Sequence, residues 1–272
     1  MRKFGFKIFS TNLQNAPLFI KECAVFASSA SDVFIELMVV PSSTMADLKK
    51  IKELVGNVEV RIHAPHDGMG FDAGNKELEN QNRQILANAQ RAADLFQAKT
   101  IVVHPGCGHG QQYIDETVRQ FRLFNDSRIV VENLPHLDNR TLPMHGNTAA
   151  EISYIMKECG CGFCFDFSHA VCAAISMKLN IDEHLQKFFS LNPTVYHMCD
   201  GDINKAEDMH LHFGAGNYPL PHFLNDYTAK DAYITMETGK GLEQHNDLWI
   251  KDYQYLKNLK DIKETIVLGD VN

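Results

Sequence analysis

The chain has 272 residues, 44% of them apolar and 22% charged, an ordinary globular composition at a size that buries roughly three quarters of the unfolded surface. A net charge of −8 argues against a surface devoted to nucleic acid, because phosphate neutralisation leaves a basic footprint, although bound divalent metals would add positive charge that the count omits. The first residues hold no run long enough for a signal-peptide core, no stretch of about 18 apolar residues offers a membrane span, and seven scattered cysteines suit a reducing compartment, so a soluble cytoplasmic protein with free thiols is expected.

Short β-type runs alternate with segments of helical period from end to end, the pattern of repeated βα units around a parallel sheet. Eight strands are predicted in chain order, at 4–9, 33–39, 58–63, 100–104, 129–132, 162–167, 194–199 and 233–237. Between the third and fourth, residues 76–98 read as a helix whose Leu78, Ile85, Ala89, Ala92 and Phe96 share one face and whose other face is Asn, Gln, Arg and Asp. The longest stretches without clear period, 134–147 and 201–220, each follow a strand and are βα loops on the catalytic side of a barrel. The expectation is one (β/α)8 TIM barrel over residues 1–272.

At or near the ends of strands three to eight stand His63, His104, Glu132, Asp166, His197 and Glu237. All six are metal-ligand types, each following apolar or β-favouring residues, so each side chain leaves a rigid strand at its carboxyl end, where barrel active sites form. Carboxylates converging in a low-dielectric pocket repel unless a cation lies among them, and mixed nitrogen and oxygen donors favour zinc or manganese over calcium or magnesium. A lone histidine in such a position is more often a satisfied core residue; six in register are not. His169 follows Asp166 by three, and Asp208 and His210 form an Asp-x-His pair in the loop after strand seven, a spacing that points both side chains the same way in extended backbone. The nine together exceed what one ion needs.

The motifs Ile62-His-Ala-Pro, Val103-His-Pro-Gly, Val131-Glu-Asn, Phe165-Asp-Phe-Ser-His-Ala, His197-Met-Cys-Asp, Asp208-Met-His and Met236-Glu-Thr resemble endonuclease IV, within the xylose-isomerase-like barrel superfamily. The resemblance implies a trinuclear zinc centre, with manganese as an alternative ion, and cleavage of DNA at abasic sites as a DNA-repair hydrolase. Carried over, one ion would take His63, His104 and Glu132; a second Glu132, Asp166, His197 and Glu237; a third His169, Asp208 and His210. Glu132 and Glu237 would orient the attacking water or move its proton. The first strand, Gly5-Phe-Lys-Ile-Phe-Ser, lacks the family's histidine, Val39-Val-Pro-Ser-Ser-Thr replaces its DNA-entering loop, and Ala215 stands for its usual Glu. A small phosphodiester or a sugar is therefore carried as the alternative substrate. Sugar isomerases and epimerases of the same superfamily use one metal on residues matching Glu132, Asp166, His197 and Glu237, and Glu36 resembles a strand-two position of that group.

Other features have blander readings. Cys159, Cys161 and Cys164 are expected as small packing residues, Cys107-Gly-His109-Gly as a turn or a phosphate contact, and His66 and His212 as neighbours of the ligands. Lys205 reads as a solvated loop lysine, Glu36 as a paired carboxylate inside the barrel, and Trp249 as packed on the outer helices.

Overall fold

The computed structural model describes residues 1–239 and 246–259. Eight strands, β1 (Lys3–Phe9), β2 (Val33–Met38), β3 (Val60–His63), β4 (Ile101–Val103), β5 (Ile129–Glu132), β6 (Gly162–Asp166), β7 (Val195–Met198) and β8 (Tyr233–Met236), run in sequence order around a closed barrel. Every pair is parallel, and β1 closes the ring on β8 through Phe6 opposite Met236. Helices α1 (Asn12–Asn15), α2 (Pro17–Ser29), α3 (Met45–Val55), α4 (Glu79–Phe96), α5 (Gln111–Phe124), α6 (Ala149–Cys159), α7 (Phe167–Ser176), α8 (Ile181–Phe189), α9 (Leu220–Asp226) and α10 (Asn246–Leu259) connect or follow the strands. The eight-strand barrel expected from the alternating pattern is the fold.

Strand ends differ from the sequence reading by a residue or two, each for a local reason. Pro105 offers no N–H to a ladder, so β4 stops at Val103 and His104 stands just beyond it. The Asp166 side chain accepts from the His169 N–H at 2.7 Å and starts α7 there, which converts Phe167 from the predicted last residue of a strand to the first of a helix. The segment at 76–98 is a 3-10 turn over Lys76–Leu78 followed by α4. Ile85, Ala89 and Ala92 are buried as its period predicts, but Asn82 is buried too, exchanging hydrogen bonds with the Asp72 backbone and donating to Gln120 Oε1. Gln97 in the left-handed conformation ends the helix before Ala98.

The alternation of β1 separates two environments. Phe4, Phe6 and Ile8 are buried in the large apolar cluster that the strands share with α2, α3 and α10. The intervening positions follow the barrel interior: a Cβ on Gly5 would lie 2.4 Å from the Phe34 ring, so glycine makes the room that ring fills. Arg61 lies 3.4 Å over the centroid of Tyr233 and 5.7 Å from that of Phe34, closing the amino-terminal end with a stacked cation. Above it Val102, Val130, Cys164 and Val195 form a small dry cluster of their own. Polar groups gather at the carboxyl ends of the strands.

Candidate metal centre

Glu132, fully buried at the end of β5, is the hub. Its Oε2 lies 3.2 Å from His63 Nε2 and 3.1 Å from His104 Nε2, and its Oε1 lies 3.1 Å from His197 Nδ1 and 3.4 Å from His169 Nδ1. His197 Nδ1 is also 2.8 Å from Glu237 Oε1 and 4.0 Å from Asp166 Oδ2. At the outer edge Asp208 Oδ2 is 3.5 Å from His169 Nε2 and 2.5 Å from His210 Nε2. All nine sequence-predicted positions thus stand at one mouth, and their donor atoms fall into groups within 4.8 Å: His63 with His104 and Glu132, Glu132 with Asp166 and His169, Glu132 with Cys164 and His197, His63 with Glu36, His197 and Glu237, and, apart from these, Asp208 and His210 with Cys199, a residue the sequence reading left out.

Backbone carbonyls fix the tautomer of three of these rings. His63 Nδ1 lies 2.7 Å from Ala64 O, His169 Nδ1 2.9 Å from Asn133 O and His210 Nδ1 2.7 Å from Glu237 O. A carbonyl only accepts, so each Nδ1 carries the proton and donates it. In a neutral ring Nε2 is then a bare lone pair, and in all three cases it faces a carboxylate oxygen. Two acceptors held together in a dry pocket repel, so a cation belongs between them, either a second ring proton or a metal ion. For His63 the proton is disfavoured: burial, with Lys7 nearby, lowers its pKa. Burial also lowers His104 to about 4, and its buried Nδ1 has no hydrogen-bond partner. Burial acts the same way on His169 and His210, but Asp166 lifts the first well above the usual range and Asp208 lifts the second to about 9. The donor set therefore fits divalent metal, and mixed imidazole and carboxylate is the chemistry of zinc or manganese.

The carboxylates differ from one another. Burial raises Asp166 to about 7 against the pull of His169. Burial would raise Glu132 and Glu237 too, but His197 and His104 hold the first, and Lys7 and His197 the second, well below the usual carboxylate range. Asn133 braces Asp166 through both backbone groups, accepting from its N–H at 2.8 Å and donating to its carbonyl at 2.9 Å. Ser168 Oγ donates to Asp208 at 2.7 Å. Glu36, fully buried, meets His197 Nε2 at 3.1 Å and accepts from Thr235 Oγ at 2.8 Å, which leaves the other nitrogen of His197 toward Glu132 and Glu237. This is the paired interior carboxylate expected of Glu36, and it orients the ring.

Lys7 was not among the sequence-predicted residues. From the interior side of β1 its ammonium pairs with Glu237 Oε1 and lies 3.8 Å from Glu36 Oε1. Burial alone would lower its pKa; Glu237, Glu36 and Glu132 outweigh that and raise it. The signal was available: a lysine between Phe6 and Ile8, in phase with Gly5, faces the inside of the barrel.

The loop at 201–220 is organised by Asp200, whose carboxylate accepts from the N–H groups of Gly201, Gly214, Gly216 and Tyr218 at 2.8 to 3.1 Å. Leu211 and Asp200 exchange backbone bonds at 2.9 and 3.0 Å, which turns Asp208 and His210 back over the barrel. His212 lies apart from the ligands, paired with Asp252 at 2.7 Å. His66 stacks on His104 at 5.5 Å and caps a 3-10 turn. His109 stacks on His136 at 4.2 Å. All seven cysteines are free, and Cys164 packs inside the barrel as expected. Lys205 pairs with Asp202 at 3.6 Å. Trp249 comes from an outer helix, α10, but is buried, stacked on Phe6 at 5.4 Å, and reaches the cleft above the centre. That cleft has a volume of about 530 Å³. No described helix is long and apolar enough to cross a membrane.

Comparison with known proteins places the fold that carries these residues. Solved structures that superpose on the chain include endonuclease IV from Thermus thermophilus (TM-score 0.67, 18% identity, 95% of this chain and 98% of that one). A D-tagatose 3-epimerase-like protein superposes at TM-score 0.66 and 18% identity over 94% and 96% of the two chains. The IOLI protein with a binding zinc atom superposes at 0.58 and 14% over 95% and 96%. At these identities the shared property is the fold. A probable endonuclease 4 of Mycobacterium ulcerans (strain Agy99) is 24% identical over 188 residues, 66% of this chain and 73% of that protein. The profile of the family described as xylose isomerase-like TIM barrel matches residues 34–259, from β2 to the end of α10, and the chain belongs to that family.

Proposed function

We propose that the protein is a metal-dependent phosphodiester hydrolase whose centre uses His63, His104, Glu132, Asp166, His169, His197, Asp208, His210 and Glu237. The observation that carries this reading is the row of Nε2 atoms of His63, His169 and His210, each facing a carboxylate oxygen while its Nδ1 is tied to a backbone carbonyl, which extends the donor set beyond a single-ion site. His63, His104 and Glu132 would hold one ion, Glu132, Asp166, His197 and Glu237 a second, and His169, Asp208 and His210 a third. Bound there, divalent ions supply Lewis acidity that lowers the pKa of an attacking water and offsets charge on phosphoryl oxygens.

The chain's own groups do the rest. Glu132 and Glu237, held well below the usual carboxylate range, are ionised and would orient the attacking water or move its proton. Lys7 fixes Glu237 through Oε1, and Asn133 fixes Asp166 from its backbone, so the donors need little reorganisation. The probable endonuclease 4 of Mycobacterium ulcerans, 24% identical over 188 residues, and the endonuclease IV fold neighbour support the same reaction class.

A second reading, a sugar isomerase or epimerase using one ion, is favoured by Glu36 on His197 and by the epimerase-like fold neighbour. Metal analysis of the purified protein separates the two. Two or three zinc or manganese ions per chain, reduced in His63→Ala, Asp166→Ala and His210→Ala together with phosphodiesterase activity, is the expected result. One ion that survives His210→Ala, with turnover of a ketose and none of any phosphodiester, would replace the hydrolase by the isomerase.

A further inference from the structure

Resting on the hydrolase reading, we propose that the substrate is a small phosphodiester contained in the cleft, not a nucleic-acid duplex. The connection from β5 to α6, residues 133–148, crosses the mouth of the barrel and is tied on both sides. On one side the Arg140 guanidinium pairs with Asp67 in the loop after β3, while its Nε donates to Asp138 at 2.7 Å. On the other, the Asn139 side chain donates to Asp208 O at 3.0 Å and accepts from Asp208 N–H at 3.3 Å in the loop after β7. β3 and β7 are each two strands away from β5 around the ring. The connection therefore spans half of the opening and touches, at Asp208, one of the candidate ligands.

The connection after β2 has no reach either. Only residues 39–44 separate β2 from α3, and Ser10 pins them, its Oγ accepting from Val40 N–H at 2.9 Å and pairing with Ser43 Oγ at 2.5 Å. Thr44 and Asp47 then close a capping box at the start of α3. A duplex needs cations for a row of phosphates. Among the described residues lining the cleft, Lys7 and Arg140 supply the Lys and Arg groups, and both are already held by carboxylates. The cleft volume of about 530 Å³ is that of a small-molecule pocket. The same cleft is also lined by Phe9, Met38, Leu134, Met144 and Trp249, apolar side chains for the group esterified to the phosphate.

The test uses the full-length wild-type protein, purified and loaded with zinc, at low salt, where non-specific DNA binding is strongest. Hydrolysis of bis(p-nitrophenyl) phosphate and of a dinucleotide is measured beside cleavage and anisotropy binding of a labelled duplex with one tetrahydrofuran abasic site. The expected result is a preference for the small phosphodiesters by ~100-fold or more in kcat/KM, with no saturable duplex binding. Equal or better cleavage of the duplex overturns the inference and leaves the hydrolase reading standing. Metal-loaded protein that hydrolyses neither overturns both.

Discussion

At the residue scale, the barrel interior sets the charge state of each side chain, and two consequences can be measured. Burial lowers both His145 and His184 to about 4, although neither is a candidate ligand; the two are 0% and 3% exposed. In the unfolded chain a histidine titrates near ~6.5, so between the two values the unfolded state binds more protons. Their stabilising effect is complete above about 6.5, declines as the pH falls through this window, and is gone below about 4, at roughly 3 kcal/mol each. Urea unfolding in chelator should therefore weaken steeply from neutral pH to acid, and His184→Leu should flatten that decline by about one histidine's share. Parallel curves for wild type and variant would contradict it. Lys7 gives the second test. Removing one partner of a buried ion pair leaves its counter-charge stranded, so Lys7→Met should cost about 3–5 kcal/mol in chelator and less with zinc present, because the metal supplies charge beside Glu237. An equal loss in both conditions would mean that Lys7 and the metal centre do not share Glu237.

At the element scale, several site residues also build secondary structure, and this duality decides how substitutions should be read. Asp166 is both a candidate ligand and the N-cap of α7. Asparagine keeps the cap acceptor and removes the charged donor, whereas alanine removes both. Asp166→Asn and Asp166→Ala should lose metal to the same extent, while the alanine variant unfolds about 1 kcal/mol more easily in chelator. Equal stabilities would show that the His169 N–H is satisfied without this side chain. The same duality explains which elements were legible. Val-Val-His, Val-Val-Glu and Thr-Met-Glu display their ligands because a strand must be apolar up to the point where the chain leaves the barrel, so the change to a charged type marks the end. His104 and Glu237 nonetheless stand one residue beyond their strands, since a proline or a loop bond, and not side-chain type, ends the ladder. The buried face of α4 was readable from its period, but Asn82 was not, because its burial depends on Asp72 and Gln120, which come from other elements.

At the scale of the whole molecule, barrel closure brings together groups that no local pattern connects. Glu36 and Thr235 meet across most of the chain, as do Lys7 and Glu237, so Lys7 was passed over in the first strand while six of the nine candidate ligands were visible from their strand ends. The result of closure is five carboxylates, Glu36, Glu132, Asp166, Asp208 and Glu237, around one mouth with, among the described residues, a single buried lysine between them. Without metal, burial first and the neighbouring carboxylates second raise Asp166 to about 7, against the pull of His169. An acid whose folded pKa lies above its unfolded value stabilises the fold most below the unfolded value, near ~4, and this contribution is lost as the pH rises through about 7. The metal-free protein should therefore weaken from pH 6 to pH 8 by way of Asp166, while bound metal favours the ionised form and must displace that proton. The gain in Tm on adding zinc should consequently be larger at pH 8 than at pH 6, reaching on the order of 10 °C when zinc is ~1,000 times its Kd. Calorimetric titration in buffers of different ionisation enthalpy should show protons released on binding. A zinc-induced gain independent of pH, with no proton release, would mean that the metal does not enter among these carboxylates.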